Sequence, residues 1–575
     1  MNLARWYKAA RIKWTIFRAD NRLVVIALAG FVGICSGLAS VALNRGLHWA
    51  GSNLHALQHY WWAFVLPAVG ATLSALFLNN LLRERAGHGV PEVVYAVSRY
   101  GGLLRLRSSY SRLISSLLTI GSGGSAGPEA PVVISGAAIG SNIAKLFSLK
   151  ERQRITLVGC GAAGAIAAIF NAPIAGLVFT VEVILGEWRA FNIIPIAIAA
   201  VAGTEVSRLL QGNQIAFQHQ LYNITLVDIV ATCGLVVLTT CVSLLMSRTL
   251  KSMHHVADGS GVPQWVRPAV GGAAVGLIGL FLPLILGEGY HSIREMIAGE
   301  FTPGLTLVAV GVMAKILATA LTLGWGGSGG IFAPSLMVGS LVGLVYYRLI
   351  AMILPAGALT QEGCFAMLGM AGLVSGILQA PLTGIFLIVE ITSSYEVILP
   401  LIIVSTLTST FCHYIQPGSF YLRDLIEKGQ YLRPGTDARV LSDLTVRELI
   451  EYDHRTVHSD MLFSELVDVI KSSQHHHFPV EDRESGRFLG MIFLDRIRPY
   501  LYDPQMHSVL ILEQVMETHV PSVQPDEELS DVLNRMDQAQ MQILPVVDNE
   551  RFIGMLSKAT LLDHYRKELV VQTGI

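Results

Sequence analysis

Between residues 23 and 415 the chain is a succession of apolar runs, several of them long enough for the ~20 residues that a bilayer core demands. It interrupts those runs with glycine and proline at places that recur. GSGGSAGPEAPVVISGAAIGS (121–141) has a counterpart in GWGGSGGIFAPSLMVGSLVG (324–343), and FNAPIAGLVFTVEVI (170–184) has one in LQAPLTGIFLIVEIT (378–392). In each half a Gly-rich broken segment precedes an Ala-Pro helix ending in Val-Glu. Backbone that leaves the helix at membrane depth is tolerated only where protein buries it or where it lines a cavity. Two halves with such breaks at matching positions point to a transporter or channel whose ion site lies at the repeat interface near the midplane. Close helix packing accounts for small residues at GxxxG-like spacing, but not for prolines that end helices at matching places in both halves.

Composition agrees with a membrane protein of many spans. Of 575 residues, 52% are hydrophobic and 14% charged, with a mean hydropathy of +0.52, whereas about a quarter of an ordinary soluble domain is charged. A net charge of −1 excludes no partner. The cysteines at 35, 160, 233, 241, 364 and 412 lie in apolar segments without metal-ligand spacing. They read as small buried hydrophobes and imply neither a disulfide framework nor a zinc site. Residues 1–22 carry Arg5, Lys8, Arg11, Lys13, Arg18 and Arg22 and no small-residue cleavage site, as expected of a retained basic helix on the cytoplasmic side. After Pro417 the sequence becomes polar and charged, predicting a soluble domain on that same side.

The breaks favour an anion. Helix starts that converge on one point present unpaired N–H groups and partial positive charge, which suits a halide or another small anion. Glu129, in GPEAP, is an acidic side chain at such a start. Two readings fit it equally: a tethered anion that occupies the pathway when ionised and leaves when protonated, or a carboxylate that caps a helix start and stays there.

These segments resemble the CLC family of chloride channels and chloride/proton exchangers. AGHGVPEV (86–93) is similar to the family's GSGIP signature and GPEAP (127–131) to GREGP. GGIFAP (329–334) matches the third signature residue for residue, and SFYLRDL (419–425) resembles the segment that supplies the pore tyrosine. The resemblance implies a polytopic α-helical membrane protein with inverted repeats over residues 23–425. It also implies a homodimer with one chloride pathway per subunit, in a bacterial inner membrane. By the same resemblance Glu129 is the gating glutamate, and Gly87, His88, Gly89, Gly127 and Ala130 border the anion. Ile331 and Phe332 offer amides to it and Tyr421 its hydroxyl.

The sequence departs from the family pattern at several of these places. His88 stands where the family has a pore serine. It either donates to the anion from one ring nitrogen, or adds a charge when protonated, or points away and leaves contact to the local backbone, the last being slightly favoured. Pro128 replaces the arginine of GREGP and Ala130 its second glycine. Exchangers often carry a glutamate just after the first Val-Glu as an internal proton acceptor, and Val183 follows Glu182 here. Glu182 is the remaining proton-pathway candidate, although its equivalence to Glu390 in the other half suggests that both accept from helix starts.

The tail over 426–575 holds a second repeat. HHHFPVEDRESGRFLGMIFLDRI (475–497) and MQILPVVDNERFIGMLSKATLL (541–562) each read as strand, turn, strand and helix, preceded by segments such as DLTVRELI (443–450). They look like a cytoplasmic α/β tandem pair of CBS domains, a type that often binds adenine nucleotides. Phe493 and Arg496 in the first copy, and Ser557 and Thr560 in the second, replace most of the nucleotide motif, so packing or dimer stabilisation is the expected role. Consecutive strand residues face opposite ways, so His475, His476 and His477 do not read as a metal site. An enzyme is not expected. The favoured function is a chloride channel gated by Glu129, on the strength of Val183, and the alternative is a chloride/proton antiporter. A CBS-regulated divalent-cation transporter ranks last, because it needs clustered carboxylates as oxygen ligands.

Overall fold

The structure is a computed structural model that describes residues 22–573, apart from 58–59, 85–88, 214–216, 218–220, 356, 428–443 and 504. The expected N-terminal helix, up to residue 21, and the candidate residues Gly87 and His88 lie outside the described residues. The chain forms two compact units, residues 1–431 and 432–575.

The first unit is helical and repeats element for element. Its first half contains α1 (Arg22–Leu57), α2 (Leu66–Leu76), α3 (Val90–Arg99), α4 (Ser108–Gly121), α5 (Glu129–Leu146), α6 (Glu151–Phe170), α7 (Pro173–Phe179) and α8 (Ala190–Gln211). The second contains α9 (Leu226–Gly259), α10 (Arg267–Phe281), α11 (Tyr290–Ala298), α12 (Leu305–Gly324), α13 (Phe332–Ala351), α14 (Glu362–Leu378), α15 (Pro381–Thr392) and α16 (Ile398–Ile415). A final helix, α17 (Phe420–Glu427), runs two residues past the domain boundary expected at 425. Among the described residues, eight helices are long and apolar enough to cross a bilayer.

The recurring Ala-Pro motif makes the same break twice. Helix α6 ends on Asn171 and α14 on Gln379, both left-handed, with φ of 55° and 51°. Ala172 and Ala380 then stretch the chain, with φ of −133° and −132°. Pro173 and Pro381 open the next helices, at a position where a missing N–H removes no bond. Beyond these prolines the halves diverge: residues Thr180–Leu185 are wound as a π-helix, whereas α15 is α-helical through to Thr392.

Glycine sets the close packing around the breaks. A Cβ on Gly136 would lie 2.1 Å from the carbonyl oxygen of Gly161, and one on Gly339 would lie 2.5 Å from that of Gly369. The α5–α6 and α13–α14 pairs therefore approach backbone to backbone, as small residues permit between membrane helices.

The second unit is α/β. Strand β1 (Val457–His458) pairs in parallel with β2 (His477–Glu481), which pairs antiparallel with β3 (Phe488–Phe493). β4 (Ile543–Asp548) and β5 (Arg551–Ser557) form an antiparallel pair. The repeat keeps its register, with Pro479 opposite Met491 and Pro545 opposite Met555. The preceding segments are exchanged: Glu451 bridges to Met555 of the second copy and Glu517 to Met491 of the first. Val446, Leu449 and Ile450 accordingly share a core with Leu544 and Leu556, while Leu512 packs with Phe478 and Ile492.

Candidate functional site

The two broken segments meet each other. Gly127 N–H donates to the Gly330 carbonyl at 2.8 Å, and Gly330 N–H returns the bond to Gly127 at 2.7 Å. Around this two-residue ladder Ser125 N–H donates to Thr322 Oγ1 (3.1 Å) and Ser328 N–H to Thr119 Oγ1 (3.2 Å), so each half ties the other in the same way. The ladder brings the starts of α5 and α13 together. Their first amides have no partner within the helix, and each helix has proline at its third position, Pro131 and Pro334. The start of α5 thus presents the Glu129 and Ala130 amides, and the start of α13 those of Ile331, Phe332 and Ala333.

Glu129 lies between these starts and is only 2% exposed. Its Oε2 accepts from the Ala333 amide at 3.4 Å and its Oε1 from the Tyr290 hydroxyl at 2.5 Å. The amide that reaches the carboxylate is therefore one residue beyond Phe332. The Phe332 side chain turns to an aromatic cluster, with ring centroids 5.6 Å from Phe170 and 6.1 Å from Phe179. Ile331 is fully buried in the turn before α13. Gly89 precedes α3 with φ of 77°, and a Cβ there would lie 2.8 Å from the Ala130 carbonyl oxygen. Only glycine lets this segment approach the start of α5 so closely. Tyr421 is buried on α17, which packs against α3 and α14. Among the described residues the hydroxyl bonded to Glu129 is that of Tyr290, not Tyr421.

Sequence reasoning missed Tyr290 and its neighbours. Lys315 of α12 is wholly buried, and its Nζ donates to the carbonyl oxygens of Ile285 (2.9 Å) and Gly287 (2.8 Å). Gly287 N–H in turn donates to the Gly123 carbonyl at 3.3 Å, fixing this loop against the first broken segment. An available signal was the presence of ionisable residues, Glu288 and Lys315, in an apolar zone.

Glu182 and Glu390 cap each other's halves. Glu182 accepts from Leu382 N–H (3.2 Å), Thr383 N–H (2.7 Å) and the Thr383 hydroxyl (2.7 Å) at the start of α15. Glu390 accepts from Ile174 N–H (3.0 Å) and Ala175 N–H (2.7 Å) at the start of α7. Val183 is buried in the π-helical segment.

In the second unit, Ser557 and Thr560 both donate their hydroxyls to Glu451 Oε1, the former at 2.7 Å. The hydroxyls left of the nucleotide motif thus already hold a carboxylate. His477 stacks edge-on with Phe493 at 5.5 Å, and His475 lies 4.8 Å from His454. Among the described residues no three metal-ligating side chains gather.

The family model described as Voltage gated chloride channel matches residues 70–413, and the CBS domain model matches residues 512–567. The chain is 31% identical over 415 residues to a protein named H(+)/Cl(-) exchange transporter ClcA from Cronobacter sakazakii, covering 69% of this chain and 88% of that one. It is also 31% identical over 423 residues to Chloride channel protein CLC-f of Arabidopsis thaliana, covering 67% of this chain and 53% of that protein's length. A crystal structure of a eukaryotic CLC transporter superposes over 94% of this chain and 98% of its own, with a TM-score of 0.63 at 17% identity, a likeness of fold. The paired broken helices, the carboxylate between their starts and these relatives lead to one assignment: the chain belongs to the CLC family of anion transporters, as an integral membrane protein followed by CBS domains.

Proposed function

We propose that the chain exchanges chloride for protons, with Glu129 as the group that both blocks the anion pathway and carries the proton. The observation that carries this reading is the Glu129 carboxylate held between two helix starts by the Ala333 amide and the Tyr290 hydroxyl. That is where a mobile anion would find its donors. When the carboxylate ionises it competes with chloride. When protonated it loses the charge that holds it there, and an anion takes its place. The bacterial relative with high coverage bears an exchanger's name, which supports the exchanger over the channel expected from Val183. The channel is retained as the second reading because Val183 is buried and apolar and cannot bind a proton.

In this reading chloride is the bound ion, touching the amides about Ala130, Ile331 and Phe332 and the Tyr421 hydroxyl; the Gly127 N–H expected to border it is instead engaged by the Gly330 carbonyl. The protein works as a homodimer in a bacterial inner membrane, its basic N-terminus and CBS domains in the cytoplasm by the positive-inside bias. The Glu451 carboxylate on Ser557 and Thr560 repels a phosphate, so the CBS pair serves packing and not adenine-nucleotide binding.

The test is proton movement into liposomes carrying the purified protein under an outward or inward chloride gradient. Uphill proton transport driven by chloride is expected, and E129Q should keep chloride flux while losing proton transport. Chloride flux without proton movement in the wild type would overturn the exchanger in favour of the channel. An E129Q protein with unchanged proton coupling would remove Glu129 from the gate.

A further inference from the structure

The loop that delivers Tyr290 to the gate carries a second acid. Glu288 sits two residues before Tyr290, between Gly287 and Gly289, both of which have positive φ, 60° and 90°. Its Oε1 is sealed from solvent and has no hydrogen-bond partner among the described residues, although the residue as a whole is part-exposed. A sealed, unpartnered carboxylate oxygen is costly, and a fold keeps one where the group has another task or an opposite charge nearby. The opposite charge is Lys315. Its ammonium is fixed on the carbonyls of Ile285 and Gly287, which flank Glu288, and Glu288 lies within electrostatic range of both Lys315 and Glu129.

We propose that Glu288, with Lys315 as its counter-charge, is a second protonatable group of the transport pathway, coupled to Glu129 across Tyr290. The proposal rests on Glu129 being the gate. The repeat supports it, because G-E-G at 287–289 leading into α11 stands where G-H-G at 87–89 leads into α3 in the first half. Among the described residues, the titratable groups about Glu129 are Tyr290 and Glu288 from the start of α11 and its loop and Tyr421 from α17, while Lys315 from α12 faces Glu288. On α3, Glu92 is engaged by Arg112 of α4 at 2.6 Å. A proton on Glu288 removes a negative charge beside the gate and eases the return of Glu129 to its ionised, blocking form. An empty Glu288 favours the protonated, open form. Lys315 opposes that effect and keeps two neighbouring carboxylates compatible with one buried loop.

The experiment measures chloride efflux from liposomes as a function of pH for wild type, E288Q, E288D, K315M and E129Q. Removing the Glu288 charge makes Glu129 easier to ionise, so the midpoint of E288Q should fall by about one pH unit. E288D should restore the wild-type midpoint, and K315M should raise it. Curves for E288Q and K315M that superimpose on wild type would overturn the proposal, as would an E288D curve matching that of E288Q, since shape and not charge would then be responsible. Should E288Q fail to yield folded protein, the K315M midpoint decides: an upward shift supports the proposal, and an unmoved or lowered one overturns it. E129Q separates the two ideas. If it keeps the wild-type pH profile, the gate reading itself fails. If it flattens the profile while E288Q and wild type agree, the gate stands and the Glu288 proposal alone fails.

Discussion

Removing the reciprocal caps tests whether Glu182 is a structural group or a proton carrier. Glu390 accepts two backbone N–H bonds at the start of α7, and Glu182 accepts two at the start of α15 plus the Thr383 hydroxyl. Hydrogen bonds to a charged group contribute roughly 1.5–3 kcal/mol each, and the low end applies because both carboxylates are part-exposed. E390A therefore loses about 3 kcal/mol and E182A, with one more bond, about 4.5 kcal/mol. The glutamine variants keep an acceptor oxygen but no charge, and should fall about halfway. Thermal unfolding of the purified protein, followed by tryptophan fluorescence, should rank the proteins wild type, E390Q, E390A and E182A in falling stability. Proton coupling in the surviving fraction should be similar in E182Q and E390Q. Wild-type stability in E182A would refute the capping argument. Full stability in E182Q together with a specific loss of proton transport would make Glu182 the internal proton carrier that Val183 is not.

Gly89→Ala should lower stability by about 1–3 kcal/mol and slow chloride flux, because alanine at φ 77° is strained and its Cβ meets Ala130; unfolding and efflux on one preparation check it. Gly136→Val should prevent recovery of monodisperse protein in size-exclusion chromatography, since the side chain would drive into the Gly161 carbonyl. Burial, reinforced by the neighbouring histidines, holds His477 below its ordinary value of 6.5. Because it is neutral when folded and takes a proton when unfolded, stability of the CBS unit should be full above pH 6.5 and decline as pH falls below it. Protection factors at β2 in the full-length protein, which divide out the intrinsic slowing of exchange in acid, should fall as pH is lowered, and less so in H477Q.

Much of the architecture is written in residues that act locally. Pro173 and Pro381 favour the first turn of a helix, and Asn171 and Gln379 before them end the preceding ones, so the repeat of Ala-Pro breaks is visible without a structure. The carboxylate at 129 stands out for the same reason, as a charge in an apolar run at a helix start. Its partners are not legible in this way. Tyr290 is an ordinary aromatic residue that meets Glu129 from a loop tied to the first broken segment by the Gly287–Gly123 bond, a contact no local pattern announces. In the tail, DLTVRELI reads as a prelude to the first CBS copy because it precedes it. The chain instead sends Val446 and Leu449 into the core of the second, so sequence order misleads where segments are exchanged.

Function in this fold depends on where the repeat fails to be symmetric. Thr119 and Thr322, Ser125 and Ser328, and Gly127 and Gly330 form matched contacts, and the same spacing relates Arg112 to Lys315. Both of these cations are buried, but Arg112 holds the carboxylate of Glu92 directly at 2.6 Å, while Lys315 holds two carbonyls and Glu288 Oε1 has no hydrogen-bond partner among the described residues. The pairing spacing also sets Glu129 of one half against Phe332 of the other. Two identical helix starts would offer an anion equivalent donors from either side. One start carries a carboxylate and the other a phenyl ring packed into an aromatic cluster, so under the proposed exchange only the first would block itself, and its block would titrate. The shared scaffold supplies the donors, and in the proposed exchange the substitutions that break its symmetry would determine how a proton and an anion compete for them.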